Sequence, residues 1–240
     1  LRWNGNFADV NRYNQALQDA GAWAWESNMA YAAHEVRQYN YEAIRDAQMA
    51  SEENVVLVRA WEEEILHHST EKEVEFPDAE TMATFDTLEI DLTMDCPDPE
   101  LGESGNCGAW DYLSHLYIET NAEPQEWTEI ARFITTYHRE GRYLVDATGL
   151  LPYFAEGGPL KIKFDASSQS YRTTMDFRFR NTGKGYRPTE IHKLWGAGGG
   201  SIGFGSGYSD SMEDQTVAIP ENAKKVELWV IITGHGMKEP

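Results

Sequence analysis

The sequence predicts an antiparallel all-β fold, a sandwich or jelly roll, behind a partly helical N-terminal arm. From residue 54 onward apolar residues alternate with polar ones, or run apolar over strand length, in ten successive stretches. Turn clusters rich in Gly, Pro and Asn separate several of these stretches, and no long helical period intervenes. That combination points to antiparallel neighbours in packed sheets.

The arm differs in composition from the rest of the chain. Residues 1–53 are rich in Ala, Gln, Glu and Asn, and Tyr13, Leu17, Ala20 and Ala24 recur at helical spacing, weakened by Gly21. Ser27 is an N-cap candidate for a second helical stretch, and Tyr41, Ile44 and Ala47 mark a third. Packing on the main domain is the leading reading of the arm, and an oligomer or partner contact is the sharper one.

The expected strands are, in order, "VVLVRAW", "EKEVEF", "TFDTLEIDLTM", "SHLYIET", "EWTEIARFITTY", "RYLVDAT", "PLKIKFDA", "SYRTTMDFRFRN", "TEIHKLW" and "KKVELWVIIT". The segments "NAEPQ", "HREG", "AEGGP" and "NTGKGYRP" are the turns between them. The last of these is the best linker candidate, which sets a boundary near residue 184.

Charge narrows the function classes. Forty acidic residues against twenty basic ones give a net charge of −20 over 240 residues. Such a surface cannot neutralise phosphates, which argues against nucleic acid. No apolar run approaches the ~20 residues that a membrane-crossing helix needs. The chain begins at Leu1 without a basic n-region, so a leader is expected to be gone and the protein to be secreted, periplasmic or displayed at a cell surface. Eight tryptophans suit sugar stacking or a sandwich core, and the core is the better general explanation.

Cys96 and Cys107 are the only cysteines. They admit two readings, buried thiols or a crosslink. Pro97, Pro99, Gly102 and Gly105 place them on an exposed turn, which favours a disulfide and export. Trp110 and Asp111 come directly after this loop and open a strand. A carboxylate next to a crosslinked loop is a candidate for preorganised chemistry, which separates Asp111 from the many solvated acids.

Other motifs carry less. "GAGGGSIGFGSG" lacks the Lys-Ser/Thr and the following helix of a phosphate-binding loop. His34, His67, His68, His115, His138, His192 and His235 show no zinc-finger spacing, and strand alternation is expected to point His67 and His68 to opposite faces. His235 and Met237 alone are a weak copper pair. No G-x-S-x-G elbow follows a strand, so a serine hydrolase is not indicated.

Several motifs together carry a resemblance. The run "FPDAETMATFDTLEIDLTMDCP…CGAWDYLSHLYIE…EWTEIARFITTY…PLKIKFDASS…MDFRF", followed by "VAIPENAKKVELWVIITGHGMKEP", resembles peptide-N-glycosidase F and its bacterial relatives over residues ~54–240. The resemblance implies two eight-stranded antiparallel jelly rolls side by side, with a site in the cleft between them. The implied layout is an N-terminal arm at 1–53, a first jelly roll at 54–183 and the start of a second at 184–240. The implied activity is hydrolysis of the amide between asparagine and the first N-acetylglucosamine of an N-linked glycan, with neither a metal nor an organic cofactor.

By the same resemblance Asp111 is the principal catalytic carboxylate, Trp110 its aromatic neighbour for substrate binding, and Asp165 the supporting carboxylate. This chain departs from the family pattern in three places. Asp165 is one methylene shorter than the family's glutamate, Ser167 stands where the family has a tryptophan, and Tyr112 stands where a basic residue usually follows the aspartate. The family's second catalytic glutamate, in a Cys-x-Glu-x-Cys stretch, would fall beyond Pro240. The corresponding expectation is that a C-terminal remainder of the same protein completes the second jelly roll, either as a separate chain made by cleavage near Pro240 or as further polypeptide. The alternative reading is a non-catalytic surface, assembly or carbohydrate-binding protein on the same jelly-roll pair. A copper monooxygenase of related architecture is disfavoured by the scattered histidines.

Overall fold

The computed structural model describes residues 43–103, 105–195 and 209–232, with isolated positions 15, 18, 19, 21, 41 and 207. The chain divides into two compact units, Leu1–Glu53 and Asn54–Pro240. In the first, residues 43–51 are helical, and Tyr41 and Ile44 are exposed. Tyr13, Leu17, Ala20, Ala24, Ser27 and His34 of the arm, most of the glycine-rich segment, His235 and Met237 lie outside the described residues.

The second unit contains eight strands: β1 (Val56–Leu66), β2 (Ser69–Asp78), β3 (Thr87–Asp95), β4 (Leu113–Ala122), β5 (Gln125–Ile134), β6 (Gly141–Asp146), β7 (Gly157–Asp165) and β8 (Tyr171–Arg180). They pair antiparallel into two four-stranded sheets, ordered β1-β8-β3-β6 and β2-β7-β4-β5. Strands consecutive in sequence mostly sit in opposite sheets, and this order is that of an eight-stranded jelly roll.

Alternation explains the inner faces. Leu88, Ile90, Leu92 and Met94 of β3, Leu116 and Ile118 of β4, Ile162 and Phe164 of β7, and Met175, Phe177 and Phe179 of β8 are all fully buried. Phe76, Phe154 and Phe177 form an aromatic knot with ring centres 5.1–5.6 Å apart. Burying each such ring contributes about 1.5–3 kcal/mol. Phe154 belongs to a 3-10 helix, Thr148–Phe154, that closes one end of the sandwich and has no counterpart among the expected elements. At the opposite end Trp61 and Phe133 pack on Phe164.

Among the described residues two expected strands are absent: 189–195 and 224–232 pair into no ladder, and Val226, Leu228, Val230 and Ile232 are exposed. Alternation favours a strand only where a neighbouring backbone exists to take its hydrogen bonds. Closer to β8 the chain is fastened. The Asp86 carboxylate accepts hydrogen bonds from the Thr182 amide (2.8 Å), the Thr182 hydroxyl (2.9 Å) and the Lys184 amide (2.8 Å).

Candidate functional site

Antiparallel pairing makes β1, β3, β5 and β7 run in one direction, so four connections gather at one end of the sandwich: β1–β2, β3–β4, β5–β6 and β7–β8. Hydrogen bonds join them into one network. The His68 amide donates to the Ser167 carbonyl (2.8 Å), linking the first connection to the last. The His138 amide donates to the Gly108 carbonyl (2.8 Å), linking β5–β6 to β3–β4.

The long β3–β4 connection carries the sequence candidates. Cys96 and Cys107 form a disulfide across 4.5 Å of Cα separation, and both are buried. The loop has its own supports. The Asn106 side chain accepts from the Asp98 amide (3.1 Å) and donates to the Asp98 carbonyl (2.7 Å), and Glu140 accepts from the Cys96 amide (3.2 Å). Behind it, burial and the neighbouring Glu140 charge push the Asp95 carboxyl above its ordinary value, while Arg172 at 3.5 Å opposes that rise.

Past the disulfide the backbone of 110–112 is held from two sides. The Gln169 side chain accepts from the Trp110 amide (3.0 Å) and donates to the Trp110 carbonyl (2.7 Å), much as a neighbouring strand would. The Thr135 hydroxyl donates to the same carbonyl (2.7 Å) and accepts from the Tyr112 amide (2.8 Å). The Thr135 amide donates in turn to the Tyr112 carbonyl (2.8 Å). Trp110 is 58% exposed, and Asp111 is half-buried. The Tyr137 hydroxyl hydrogen-bonds the Asp111 carboxylate, and this bond is the main cause that raises the phenol above its usual value. Trp110 and Tyr112, the neighbours of Asp111 in sequence, are exposed, as is Tyr137, the one of the three whose hydrogen bond reaches the carboxylate.

Asp165 ends β7 on the outward face, in register with Ser69 and His115, and its Oδ1 accepts from the Ser167 amide at 3.0 Å. That bond shapes the β7–β8 turn, where Ser167 has a φ of 74°. Gln169 ties this turn to Trp110, so the loops that bear Asp111 and Asp165 are physically joined.

His67 and His68 depart from the expected opposition. Their ring centres lie 3.9 Å apart, because His68 adopts φ 57° in a tight connection rather than continuing a strand. His67 Nδ1 lies 3.3 Å from the Ser170 hydroxyl. Among the described residues no group of three or more His, Cys, Asp or Glu side chains is placed to hold a metal ion.

A second polar cluster, absent from the sequence reading, covers the outward face of the β2-β7-β4-β5 sheet. Glu129 pairs with His115 (2.8 Å) and takes a two-pronged contact from Arg132 (2.7 and 2.6 Å). Residues three apart in a regular strand face opposite ways. A bulge at Ile130, where the pairing jumps between Leu116–Ala131 and Tyr117–Glu129, puts Glu129 and Arg132 on one face. Burial opposes ionisation of Glu129, but the His115 and Arg132 bonds outweigh it and hold the carboxyl below its usual range. Lys163 lies over the Tyr117 and Trp127 rings at 4.7 and 4.3 Å.

No protein-family model and no curated protein matches the chain. Solved structures do. A peptide-N(4)-(N-acetyl-beta-D-glucosaminyl) asparagine amidase is 23% identical with a TM-score of 0.43, over 56% of this chain and 44% of that one. PNGase F, a glycosylasparaginase from Flavobacterium meningosepticum, is 22% identical with a TM-score of 0.44 over the same shares. PNGF-II is 13% identical with a TM-score of 0.41, over 57% of this chain and 36% of that one. The chain spans less than half the length of these structures. Among the described residues no helix is long and apolar enough to cross a membrane.

Proposed function

We propose that this protein is a glycan-directed amidase that cleaves the bond between asparagine and the first N-acetylglucosamine of N-linked glycoproteins. Asp111 is its principal catalytic carboxylate. The observation that carries this reading is the setting of Asp111: a half-buried carboxylate on a backbone fixed at both flanking residues, next in sequence to an exposed tryptophan and bonded to a phenol. Fixed geometry of this kind is what lets a single carboxylate contribute to an amide hydrolysis. The order of the sequence motifs around Trp110 and Asp111 supports the same reading.

In this mechanism Trp110 stacks on the apolar face of the proximal sugar. Asp111 takes a proton from a water that adds to the amide carbonyl carbon. The carbon–nitrogen bond then breaks, and the proton passes to the departing nitrogen. The products are an aspartate on the peptide and a glycosylamine, which loses ammonia to water. Asp165 is the supporting carboxylate, placed by the turn that Gln169 fastens to Trp110. The disulfide and the acidic surface suit an exported protein.

The three exposed aromatic rings also favour a second reading, a carbohydrate-binding protein without catalysis. One experiment separates the two. Asp111→Asn should lower release of glycan from a denatured N-glycoprotein by at least about a hundredfold, read by mass, while leaving the unfolding transition in place. Undiminished release by that variant removes Asp111 from the mechanism. Glycan binding by a wild-type protein that releases nothing favours the binding reading.

A further inference from the structure

We infer that Gln169 is a positioning residue that fixes the orientation of Asp111 through the Trp110 backbone; the inference deepens the amidase reading and rests on it for its kinetic consequence. The orientation of an aspartate's Cα–Cβ bond is set by the peptide planes before and after it. The plane before Asp111 contains the Trp110 carbonyl, which accepts from both Gln169 Nε2 and Thr135 Oγ1. The plane after it contains the Tyr112 amide, which donates to Thr135 Oγ1. With both planes held, the side-chain torsions are the remaining freedom, and the Tyr137 bond takes that up.

Gln169 is not interchangeable in this arrangement. Its amide offers one acceptor and one donor to the complementary pair on Trp110, so the orientation of its oxygen and nitrogen is dictated by what they meet. Its amide nitrogen also reaches Thr135 Oγ1 at 3.4 Å, which couples the two clamps. The fit is built into the opposing chain as well. A Cβ added at Gly108 would lie 2.3 Å from both Gln169 Cδ and Oε1, so only glycine lets the amide lie flat against the loop. Two segments about sixty residues apart thus share one shape, which a merely solvated glutamine would not require.

The test compares wild-type protein with Gln169→Ala, Gln169→Glu and Gly108→Ala on an N-glycopeptide, with kcat and KM measured separately and amide hydrogen exchange followed at Trp110 and Tyr112. Gln169→Ala should lower kcat about ten- to a hundredfold with KM within about twofold, since misplacing a catalytic group acts on the chemical step. Gly108→Ala should reproduce that loss without removing any hydrogen-bonding group. Gln169→Glu keeps the acceptor but sets a carboxylate oxygen against the Trp110 carbonyl, so it should lose at least as much kcat as alanine. The Tyr112 amide, which Gln169 does not touch, should exchange faster in the alanine variant. Unchanged kcat alongside accelerated exchange at Trp110 overturns the inference. If wild-type protein turns over no glycopeptide, the amidase reading fails separately, and the Tyr112 exchange decides alone: acceleration supports the positioning role and unchanged exchange overturns it.

Discussion

Asp111 lies four residues beyond Cys107, and the side chains that hydrogen-bond the backbone of Trp110 and Tyr112 include Thr135 and Gln169, which lie outside the crosslinked loop. The disulfide therefore acts mainly on the unfolded chain, where closing an eleven-residue separation is worth about 2–3 kcal/mol in the chain-entropy model. Replacing both Cys96 and Cys107 with Ser should cost that much in urea unfolding and leave exchange at the Tyr112 amide near its wild-type rate. Rapid Tyr112 exchange in the double variant would assign the positioning to the crosslink instead. At this scale the sequence exposes what spacing can show, namely the two cysteines and the Trp110–Asp111 pair. It conceals Thr135, Tyr137 and Gln169, which lie 24–58 residues beyond Asp111 in sequence and reach the site only when their connections fold onto it. Their one local trace is Gly108, a glycine directly after a cysteine, where a close approach needs the missing Cβ. The His67–His68 pair misled for a related reason: alternation holds only while a strand continues, and the positive φ of His68 ends it.

Among the elements, β8 is an interior strand of its sheet, pairing with β1 on one side and β3 on the other. Asp86 lies just ahead of β3, and Thr182 and Lys184 just beyond β8, so their hydrogen bonds fasten the end of β8 to the start of β3. Burial alone would raise the Asp86 carboxyl, but the bonds from Thr182, Lys184 and Thr87 win and bring it down to about 2 from an ordinary 3.8. A carboxyl depressed on folding contributes stability that is fully present above its unfolded value and is lost as pH falls through its folded value. The Asp86 contribution should thus hold above about pH 4 and disappear toward pH 2. Asp86→Asn should cost about 1–2 kcal/mol near pH 6, and the gap to wild type should narrow as thermal unfolding is repeated down to pH 2. A constant gap across that range would show that shape rather than charge gives Asp86 its value. The eight paired strands were legible because their alternation is strong and each finds a neighbour. The stretches at 189–195 and 224–232 carry the same pattern, yet among the described residues no strand pairs with them, and a pattern specifies faces without supplying a ladder. The 3-10 helix Thr148–Phe154 has too few residues to show a period at all, although Leu150, Leu151 and Phe154 are buried.

For the whole molecule, alternation leaves strand order open, because any antiparallel arrangement of eight strands would show the same faces; β1-β8-β3-β6 follows from which distant segments meet. Net charge, by contrast, can be read directly from composition, and its physical consequence depends on where the cations go. Arg59 pairs with Asp176, Arg132 with Glu129, Arg142 with Asp91, Arg172 with Asp95 and Arg180 with Glu89. Several of these carboxylates are half-buried or buried on the outward sheet faces, so much of the positive charge is committed to short-range pairs that salt screens weakly. With forty acids against twenty bases, the remaining carboxylates repel one another across the surface, and that diffuse repulsion is what salt screens well. Raising sodium chloride from about 10 mM, where the screening length is about 30 Å, to about 150 mM, where it is about 8 Å, should therefore stabilise the protein. The expected result is a rise of a few degrees in Tm, corresponding to about 1 kcal/mol for a chain of this size. The same titration on a variant with several exposed glutamates among Glu71, Glu73 and Glu75 of β2 changed to Gln should show a smaller rise, because less repulsion is left to screen. A Tm that falls with salt would mean that attractive pairs outweigh the net charge, and the acidic surface would then need a different explanation from self-repulsion held in check by the sandwich core.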